Sequence, residues 1–337
     1  MKYSIIIATY NRLPELKELL ASVQNFDFPR SEFELLISDD GSTDETQNYV
    51  TQNDFGFNLR YIYQENKGPG EARNHGMREA KGDYFIYIDS DCIIPPDYLS
   101  KVDAHILQHK VDAFGGPDTY HPSFSPLLKA INYSMTSFIG TGGTRGSTKS
   151  VTKFYPRSFN MGISRAVFEK IGGMNKLRHG QDMDLSARIY EAGFKVGLVP
   201  DAFVYHKRRT SLRKFFKQIF NWGIARINLG RSHKGMLKPI HLAPAFIVFL
   251  LILIVVLSPF FVFARILLGL AGLGMVLVGI FAFVQSFFIY KNLKVAFLSI
   301  ITLYIQVFAY GLGALSGIFQ TLRGKKTVEG FTRNYYK

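Results

Sequence analysis

Tyr84–Asp91 reads YFIYIDSD, an apolar and aromatic run followed by two carboxylates one residue apart. The run Tyr84–Ile88 predicts a buried strand, which puts Asp89 and Asp91 at its carboxyl end. Ligands of open α/β sheets bind at that end of the strands. Two carboxylates there can share a hard divalent cation, Mn²⁺ or Mg²⁺, as phosphate chemistry requires.

The segments around this stretch alternate between strand and helix patterns. Apolar, β-rich runs predict strands at Ser4–Ala8, Phe33–Ser38 and Asn58–Tyr63. Helical periodicity follows the first of these runs, and Glu71–Ala80 predicts another helix. Such alternation predicts an α/β fold, Rossmann-like, with a mostly parallel sheet and helices on both faces.

The next part of the chain is less regular. Residues 115–160 are rich in Gly, Ser, Thr and Pro, which predicts either a mobile loop over the site or a plain surface insertion. Arg165–Gly172 and Met183–Gly193 predict short helices, and Lys195–Val204 predicts a late pair of strands.

Three stretches without a charged residue predict an all-α transmembrane region, at 242–263, 266–290 and 295–320. Each exceeds or matches the roughly 20 apolar residues that a bilayer-crossing helix needs. The predicted organisation is a catalytic domain at 1–206, a basic amphipathic linker at 207–240, transmembrane helices at 241–322 and a basic tail at 323–337.

The net charge of +14 is unevenly distributed along the 337 residues. Residues 1–200 carry 22 Lys/Arg and 24 Asp/Glu, whereas residues 201–337 carry 18 Lys/Arg and two acids. Because the basic residues flank apolar spans, they favour anionic lipid headgroups as partners, and we expect no nucleic-acid partner.

Within the linker, five apolar residues follow helical spacing: Leu212, Phe215, Phe216, Ile219 and Phe220. This stripe predicts a helix in the membrane interface, the alternative being an ordinary amphipathic helix packed on the protein. The chain enters a strand-like run directly after Met-Lys-Tyr. We therefore expect a cytoplasmic catalytic domain on a multi-pass protein of the cell (inner) membrane.

Five motifs occur together in one order: SIIIATYNR at 4–12, SDDGSTD at 38–44, GPGEARNHG at 68–76, DSD at 89–91 and GQDMDLSAR at 180–188. This set resembles the family 2 glycosyltransferases, inverting enzymes of the GT-A fold, over residues 3 to about 206. The resemblance implies transfer of a sugar from a nucleotide diphosphate sugar with help from a divalent metal.

Nucleotide recognition needs a flat face for stacking and an acceptor for the imide N–H of the base. Tyr10 can supply the face and the Asp40 carboxylate the acceptor. The resemblance implies that Asp40 contacts uracil, which favours a UDP-sugar although guanosine has a similar imide edge, and that Asp39 holds the strand end. The other predicted donor-side residues are Ala8, Thr9, Arg12, Arg73, Asp89 and Ser90. Arg73 lies beside the pyrophosphate or donor sugar by resemblance, or is a charge on a helix surface.

The resemblance also implies a metal site. Asp91 is the expected ligand, Asp89 contacts the ribose, the metal or both, and His206 is a further ligand or a solvated residue. Cys92 directly follows the pair and is either a ligand or a buried filler.

An inverting displacement needs a carboxylate within hydrogen-bond reach of the attacking hydroxyl. The resemblance assigns this base to Asp182, with Asp184 as a competitor on the opposite side of the predicted helix. The family usually has Glu where this chain has Gln181. Whether residue 181 positions or contacts the acceptor therefore stays an open question. Asn160, Met161 and Gly162 belong to a segment that the resemblance places on the acceptor side.

These observations predict a membrane-bound glycosyltransferase that acts on a lipid-linked or glycan acceptor in envelope glycolipid or exopolysaccharide synthesis. The alternatives are a polyprenyl-phosphate glycosyl synthase, in which an ionised phosphate attacks without a base, and an inactive membrane scaffold. The segment at 218–222 (QIFNW) only faintly matches the QxxRW motif of processive synthases, so we expect single additions. Gly313–Gly317 forms a GxxxG, which predicts close helix packing within the chain or in a homo-oligomer.

Overall fold

The computed structural model describes residues 1–141, 153–177, 179–208 and 210–330. Parts of the predicted loop at 115–160 and of the basic tail at 323–337 lie outside the described residues. The chain forms two compact units. One comprises Met1–His121 and Gly146–Lys207, and the other comprises Pro122–Arg145 and Arg208–Lys337.

The described residues of the first unit form ten strands: β1 Tyr3–Thr9, β2 Phe33–Asp39, β3 Leu59–Tyr63, β4 Tyr84–Ile88, β5 Cys92–Ile93, β6 Ala113–Gly115, β7 Asp118–Thr119, β8 Asn160–Ser164, β9 Val196–Leu198 and β10 Val204–His206. The α-helices among the residues that the structure describes are α1 Leu13–Gln24, α2 Thr46–Gln52, α3 Pro69–Glu79, α4 Tyr98–His109, α5 Pro126–Thr136, α6 Phe138–Thr141, α7 Arg165–Ile171, α8 Gln181–Glu191, α9 Leu212–Ser232, α10 Pro239–Leu257, α11 Val262–Tyr290 and α12 Leu293–Leu322.

The main sheet has the order β3-β2-β1-β4-β8-β6-β9. β1 to β4 are mutually parallel, β8 is antiparallel to both of its neighbours, and β9 is parallel to β6. The predicted mostly parallel α/β sheet is confirmed, and the strand predicted at Tyr84–Ile88 is β4 itself. Asp89 and Asp91 therefore follow the carboxyl end of a central strand.

Both faces of this sheet are covered, which explains the continuous apolar runs of its strands. Ile5 and Ile7 of β1 pack in one cluster with Leu16 and Leu20 of α1. Ile6 points to the other face and belongs to a second cluster. The alternation of side chains along β1 thus fills two separate cores.

A buried carboxylate ties together the opposite end of the sheet. Glu34 of β2 is fully buried and accepts hydrogen bonds from Ser4 Oγ and Lys81 N, both at 2.6 Å. It also pairs with Arg60 of β3 at 3.2 Å. One side chain thereby fixes β1, β2, β3 and the segment that leads into β4.

We expect Glu34→Ala to destabilise the protein by about 3 kcal/mol, because it leaves the Ser4 hydroxyl and the Lys81 N–H without their buried acceptor and removes one of the two carboxylates that pair with Arg60. For a unit of this size, that corresponds to a melting temperature lowered by roughly 6–12 °C. Thermal unfolding of the detergent-solubilised protein measures the shift.

The matched control is Glu79→Ala, since Glu79 pairs with the same Arg60 but has a side chain 46% exposed. Exposed pairs contribute about 0–1 kcal/mol, so this variant is expected to melt close to the wild type. Equal shifts for the two variants would contradict the special role of Glu34.

A second, three-stranded sheet has the order β5-β10-β7. β10 pairs antiparallel with β5, where His206 lies opposite Cys92, and parallel with β7, where Val204 lies opposite Asp118. Because β5 begins just after Asp91, this small sheet brings the end of the unit back to the carboxyl end of β4.

The second unit is helical throughout its named elements, which are α5, α6 and α9–α12. Within the described residues, α10, α11 and α12 are long and apolar enough to cross a membrane. α10 ends at Leu257, two residues before Pro259, which has no backbone N–H to continue the helix, so this helix stops short of the end of its apolar stretch.

The apolar stripe of α9 is covered by protein. Phe215 and Ile219 are fully buried and share a cluster with Ile131 of α5 and Ala309 of α12. A Cβ at Gly313 would lie 2.0 Å from the carbonyl oxygen of Phe220, so the GxxxG of α12 packs closely on α9 within the chain. The apolar stripe of α9 therefore packs on the protein, as in the alternative of an ordinary amphipathic helix. The placement of α9 at a membrane interface stays a prediction.

The region predicted as a loop at 115–160 contains a helix that belongs to the second unit. Ser125 caps α5 by accepting a hydrogen bond from Leu128 N. Thr302 of α12 donates to the carbonyl oxygen of Ala130 at 2.9 Å, and Tyr133 donates to Gln285 of α11 at 2.7 Å. For residues 126–136 the loop prediction is therefore wrong, because the Gly-rich composition lies mainly further along the chain.

Candidate active site

Asp91 and His206 form the centre of the site. Nε2 of His206 lies 3.2 Å from one carboxylate oxygen of Asp91, and Arg12 Nη1 lies 3.1 Å from the other. Burial by itself lowers the pKa of His206, but the carboxylates of Asp91 and Asp118 outweigh it and raise the pKa to about 9. The two oxygens of the Asp91 carboxylate thus contact the His206 ring and the Arg12 guanidinium.

Asp89 faces a different partner. Arg73 of α3 is 9% exposed and donates to Asp89 Oδ1 at 2.6 Å. Its other guanidinium nitrogen donates to the carbonyl oxygen of Pro69 at 3.3 Å. Arg73 is therefore held inside the site, and the alternative of a charge on an exposed helix surface is wrong. The two carboxylates of the DSD thus have different partners: Asp89 pairs with Arg73, and Asp91 pairs with His206 and Arg12.

The ends of β1 and β2 lie side by side, with Ala8 opposite Ser38 and Thr9 opposite Asp39. Ala8 is half-buried, whereas Thr9 is 3% exposed and Ser90, after β4, is 6% exposed. Tyr10 follows β1 and is half-buried. The predicted donor-side segments are thus adjacent, but the Thr9 and Ser90 side chains have little surface to offer a ligand.

Asp39 and Asp40 organise the loops at this edge. Asp39 accepts from Ser42 N at 2.7 Å and from the Tyr61 hydroxyl at 2.8 Å. Asp40, 1% exposed, accepts from Gln64 Nε2, Lys67 N and Gly68 N at 2.7–2.8 Å. Burial raises the pKa of Asp40, against the opposing effect of these three hydrogen bonds. Asp40 thus shapes the turn that leads into α3, and its contact with a base stays a prediction.

Asp182 lies in the first turn of α8. Its side chain is 20% exposed, lies 3.9 Å from Arg157 Nη1 and accepts a hydrogen bond from Met183 N at 2.9 Å. The neighbouring Gln181 amide packs against the backbone of Gly70 and donates to the carbonyl oxygen of Asn175 at 3.0 Å. Because Gly70 and Arg73 lie one turn apart on α3, the start of α8 sits beside the helix that carries Arg73.

Asp184, the competing base, is engaged elsewhere. It is 5% exposed and its carboxylate accepts from Arg188 Nε at 2.8 Å. Arg188 also donates to the carbonyl oxygens of Ile171 and Gly173. This ion pair joins α8 to the end of α7, which favours Asp182 over Asp184 as the base.

Three residues expected on the acceptor side are interior. Met161 is fully buried, and Gly162 lies against the Phe114 ring, where a Cβ would fall 2.1 Å from a ring carbon. Asn160 is also fully buried, with its amide donating to Ala202 O at 2.7 Å and its oxygen accepting from Tyr98 at 2.7 Å. Their side chains offer no surface to an acceptor because β8 lies between β4 and β6, with both sheet faces covered.

Asp118 is a residue of the site that the sequence patterns missed. It is 3% exposed, and its Oδ2 lies 3.3 Å from Nδ1 of His206. No motif contains it, and β7 is only two residues long. The available signal is the sequence Gly115-Gly116-Pro117 before it, which indicates a tightly placed backbone.

The donor set fits a divalent cation. Ligand atoms of Asp91, Cys92 and His206 lie within 4.8 Å of one another, a cluster found among the described residues. Cys92 is 1% exposed, and thiol sulfur suits softer metals than Mn²⁺ or Mg²⁺, which favours its role as a buried filler. The Asp91 carboxylate suits Mn²⁺ or Mg²⁺, and His206 would add one imidazole nitrogen, with phosphate or water oxygens completing the shell.

Sequence comparison relates this chain to known proteins. The family model described as "Glycosyl transferase family 2" matches residues 4–172, half of the chain. The poly(ribitol-phosphate) beta-N-acetylglucosaminyltransferase TarS of Staphylococcus aureus is 38% identical over 114 residues, which cover 33% of this chain and 20% of TarS. The chain thus matches about a fifth of the length of this relative.

A second relative aligns over most of both chains. It is the dolichyl N-acetyl-alpha-D-glucosaminyl phosphate 3-beta-D-2,3-diacetamido-2,3-dideoxy-beta-D-glucuronosyltransferase of Methanococcus voltae, 24% identical over 75% of this chain and 81% of the relative. Among solved structures, a mannosyltransferase from Pyrobaculum calidifontis in complex with GDP-Man and Mn²⁺ aligns with a TM-score of 0.63. That match is 18% identical and covers 95% of this chain and 87% of the mannosyltransferase, which places the chain in the same fold.

Proposed function

Because the chain belongs to glycosyl transferase family 2, we propose that it is a membrane-bound, inverting glycosyltransferase that moves a sugar from a nucleotide diphosphate sugar to a lipid-linked acceptor. The observation that carries this proposal is the Asp91–His206 pair, 3.2 Å apart, at the carboxyl end of β4. It is a place where a cation and a diphosphate can meet.

In this proposal, Asp91 and His206 hold the divalent cation, Mn²⁺ or Mg²⁺, which would offset charge on the departing diphosphate. Arg12 and Arg73 lie beside the two carboxylates and can turn toward phosphate oxygens, whose geometry a guanidinium matches. Tyr10 and Asp40 take the nucleotide, and we propose a UDP-sugar as the donor. The positive charges of the cation, Arg12 and Arg73 would thus surround the leaving nucleoside diphosphate.

The chemical step is a displacement at the anomeric carbon. The acceptor hydroxyl oxygen forms the new bond, the bond from that carbon to the diphosphate oxygen breaks, and Asp182 takes the hydroxyl proton. The position of Asp182 at the start of α8, with Gln181 against Gly70, supports this assignment. The diphosphate leaves with the electron pair of the broken bond.

The acceptor proposal rests on two observations. α10–α12 are long and apolar enough to cross a membrane, so an acceptor held in the bilayer would be near the chain at all times. The Methanococcus voltae relative is named for a dolichyl phosphate-linked sugar acceptor. We propose that the catalytic unit works on the cytoplasmic face of the cell membrane, where nucleotide sugars are present.

The test uses the full chain, purified in lipid nanodiscs, with Mn²⁺, a panel of UDP- and GDP-sugars and a membrane lipid extract. We expect one donor to release its nucleoside diphosphate, with a lipid gaining the mass of one sugar, and EDTA to stop both. If no donor is consumed and calorimetry detects no metal-dependent nucleotide binding, the chain is an inactive scaffold and the proposal fails.

A further inference from the structure

We propose that Asp118 is a positioning residue, which accepts a hydrogen bond from Nδ1 of His206 and so directs Nε2 of that ring toward Asp91 as a cation ligand. The inference rests on the proposed function, since it concerns how that metal site is held. Asp118 lies outside the motifs that carry the family resemblance, and its role follows from its contacts alone.

The geometry separates the two nitrogens of His206. Nδ1 lies 3.3 Å from Asp118 Oδ2, whereas Nε2 lies 3.2 Å from Asp91 Oδ1. A neutral imidazole carries one proton, and the nitrogen without it is the one that can bind a metal. An acceptor-only carboxylate at Nδ1 holds a proton there, so Nε2, which faces Asp91, is the nitrogen whose proton a cation can replace.

The small sheet fixes this arrangement. Asp118 opens β7, His206 closes β10, and Cys92, the residue after Asp91, opens β5. Because β10 pairs with both neighbours, the backbone register sets the position of His206 between the two carboxylates. Phe159 lies on one side of the imidazole, with ring centroids 5.3 Å apart, and limits its rotation.

Asn160 connects the segments that lead into β7 and β10. Its amide nitrogen donates to the carbonyl oxygens of Pro117 and Ala202, at 3.3 and 2.7 Å. A Cβ at Gly116 would lie 1.9 Å from Ala202 O, so only glycine allows these two backbones to come this close. The buried Asn160 thereby holds the backbone just before β7 and β10, the strands that carry Asp118 and His206.

Asp118 is a support for the ligand rather than a ligand. The described residues whose ligand atoms gather within 4.8 Å are Asp91, Cys92 and His206, and Asp118 is not among them. It contacts the ring nitrogen that points away from Asp91. A carboxylate that orients a metal-binding histidine in this way typically changes metal affinity by about 10–100-fold when removed.

The experiment titrates Mn²⁺ alone into the full-length wild type, Asp118→Asn and His206→Ala, by calorimetry. Pulsed electron paramagnetic resonance of the bound Mn²⁺ then detects nitrogen coupled directly to the metal. We expect Asp118→Asn to bind Mn²⁺ roughly 10–100-fold more weakly and to lose most of the nitrogen coupling, because the Asn amide can donate to Nδ1 and leave the proton on Nε2.

The control is Asp103→Asn, which removes another partly buried carboxylate of the same unit, one that accepts from the Tyr3 hydroxyl at 2.7 Å. It is expected to lower thermal stability without altering Mn²⁺ affinity or nitrogen coupling. If Asp118→Asn also changes only stability, Asp118 is structural and the inference is overturned. If the wild type itself binds no Mn²⁺, the metal part of the proposed function fails instead.

Discussion

Asp182→Asn is expected to lower kcat by roughly 10²–10⁴-fold, the usual contribution of a general base, with nucleotide affinity unchanged. Asparagine has the same shape and can still accept the hydrogen bond from Met183 N, so the start of α8 is preserved. What it loses is the capacity to take a proton from the acceptor hydroxyl. Steady-state release of nucleoside diphosphate measures the rate, and calorimetry with the nucleotide measures binding.

Asp201→Asn is the matched control, because Asp201 is an exposed carboxylate in the turn between β9 and β10. It is expected to keep the wild-type rate. Turnover by Asp182→Asn at the rate of the control would rule out Asp182 as the base. It would point to an acceptor that arrives already ionised, as the phosphate of a polyprenyl phosphate does.

Asp91→Asn is expected to weaken Mn²⁺ binding roughly 100-fold or more, because the change removes a charged ligand rather than a support for one. Loss of the cation removes several kcal/mol of transition-state stabilisation, which corresponds to a fall of roughly 10³-fold in kcat/KM. Calorimetric titration with Mn²⁺ and the nucleotide-release assay measure the two effects separately.

Asp97→Asn provides the comparison for this variant. Asp97 lies in the same segment of chain, but its side chain is 48% exposed and pairs with Lys101 on α4. We expect it to leave both metal affinity and turnover intact. Wild-type Mn²⁺ affinity in Asp91→Asn would refute the ligand assignment, whatever happened to the rate.

Much of the first unit could be predicted from sequence, because long buried strands carry a strong pattern. β1, β2, β3 and β4 all coincide closely with their predicted apolar runs. The strands of the small sheet have two or three residues each, too few for any periodicity to be read. Their pairing depends on contacts distant in sequence, so the glycines and proline before β7 could indicate a tightly placed backbone but not the contact of Asp118 with His206.

The helical unit shows what an amphipathic pattern does and does not determine. The spacing of Leu212, Phe215 and Ile219 correctly predicts a helix with one apolar face. It carries no information about what covers that face, where Phe215 and Ile219 pack against α5 and α12. α5 had its own signals, a capping Ser125 and a proline at the first position, but the surrounding glycines and serines masked them.

At the site, the sequence predicted which residues lie close together better than it predicted which side chains each of them contacts. Asp91 and His206 meet as the sequence indicated, and Asp182 occupies a helix start beside α3. Asp89 contacts Arg73, a partner that the sequence did not indicate, and its contact with the cation or the ribose stays a prediction. Asn160 and Met161 resemble the family segment but are fully buried here, so a motif match by itself does not separate binding residues from core residues.

The position of α5 has a consequence for how the protein is made. The hydrogen bond from Thr302 to Ala130 joins residues 172 positions apart, so α5 leaves the ribosome long before its partner α12 exists. Until then, the apolar side chains of Ile131 and Met135 have no permanent cover. We therefore expect α5 to reach its native packing only late in synthesis, after α9 and α12 have been made, so that the helical unit closes last.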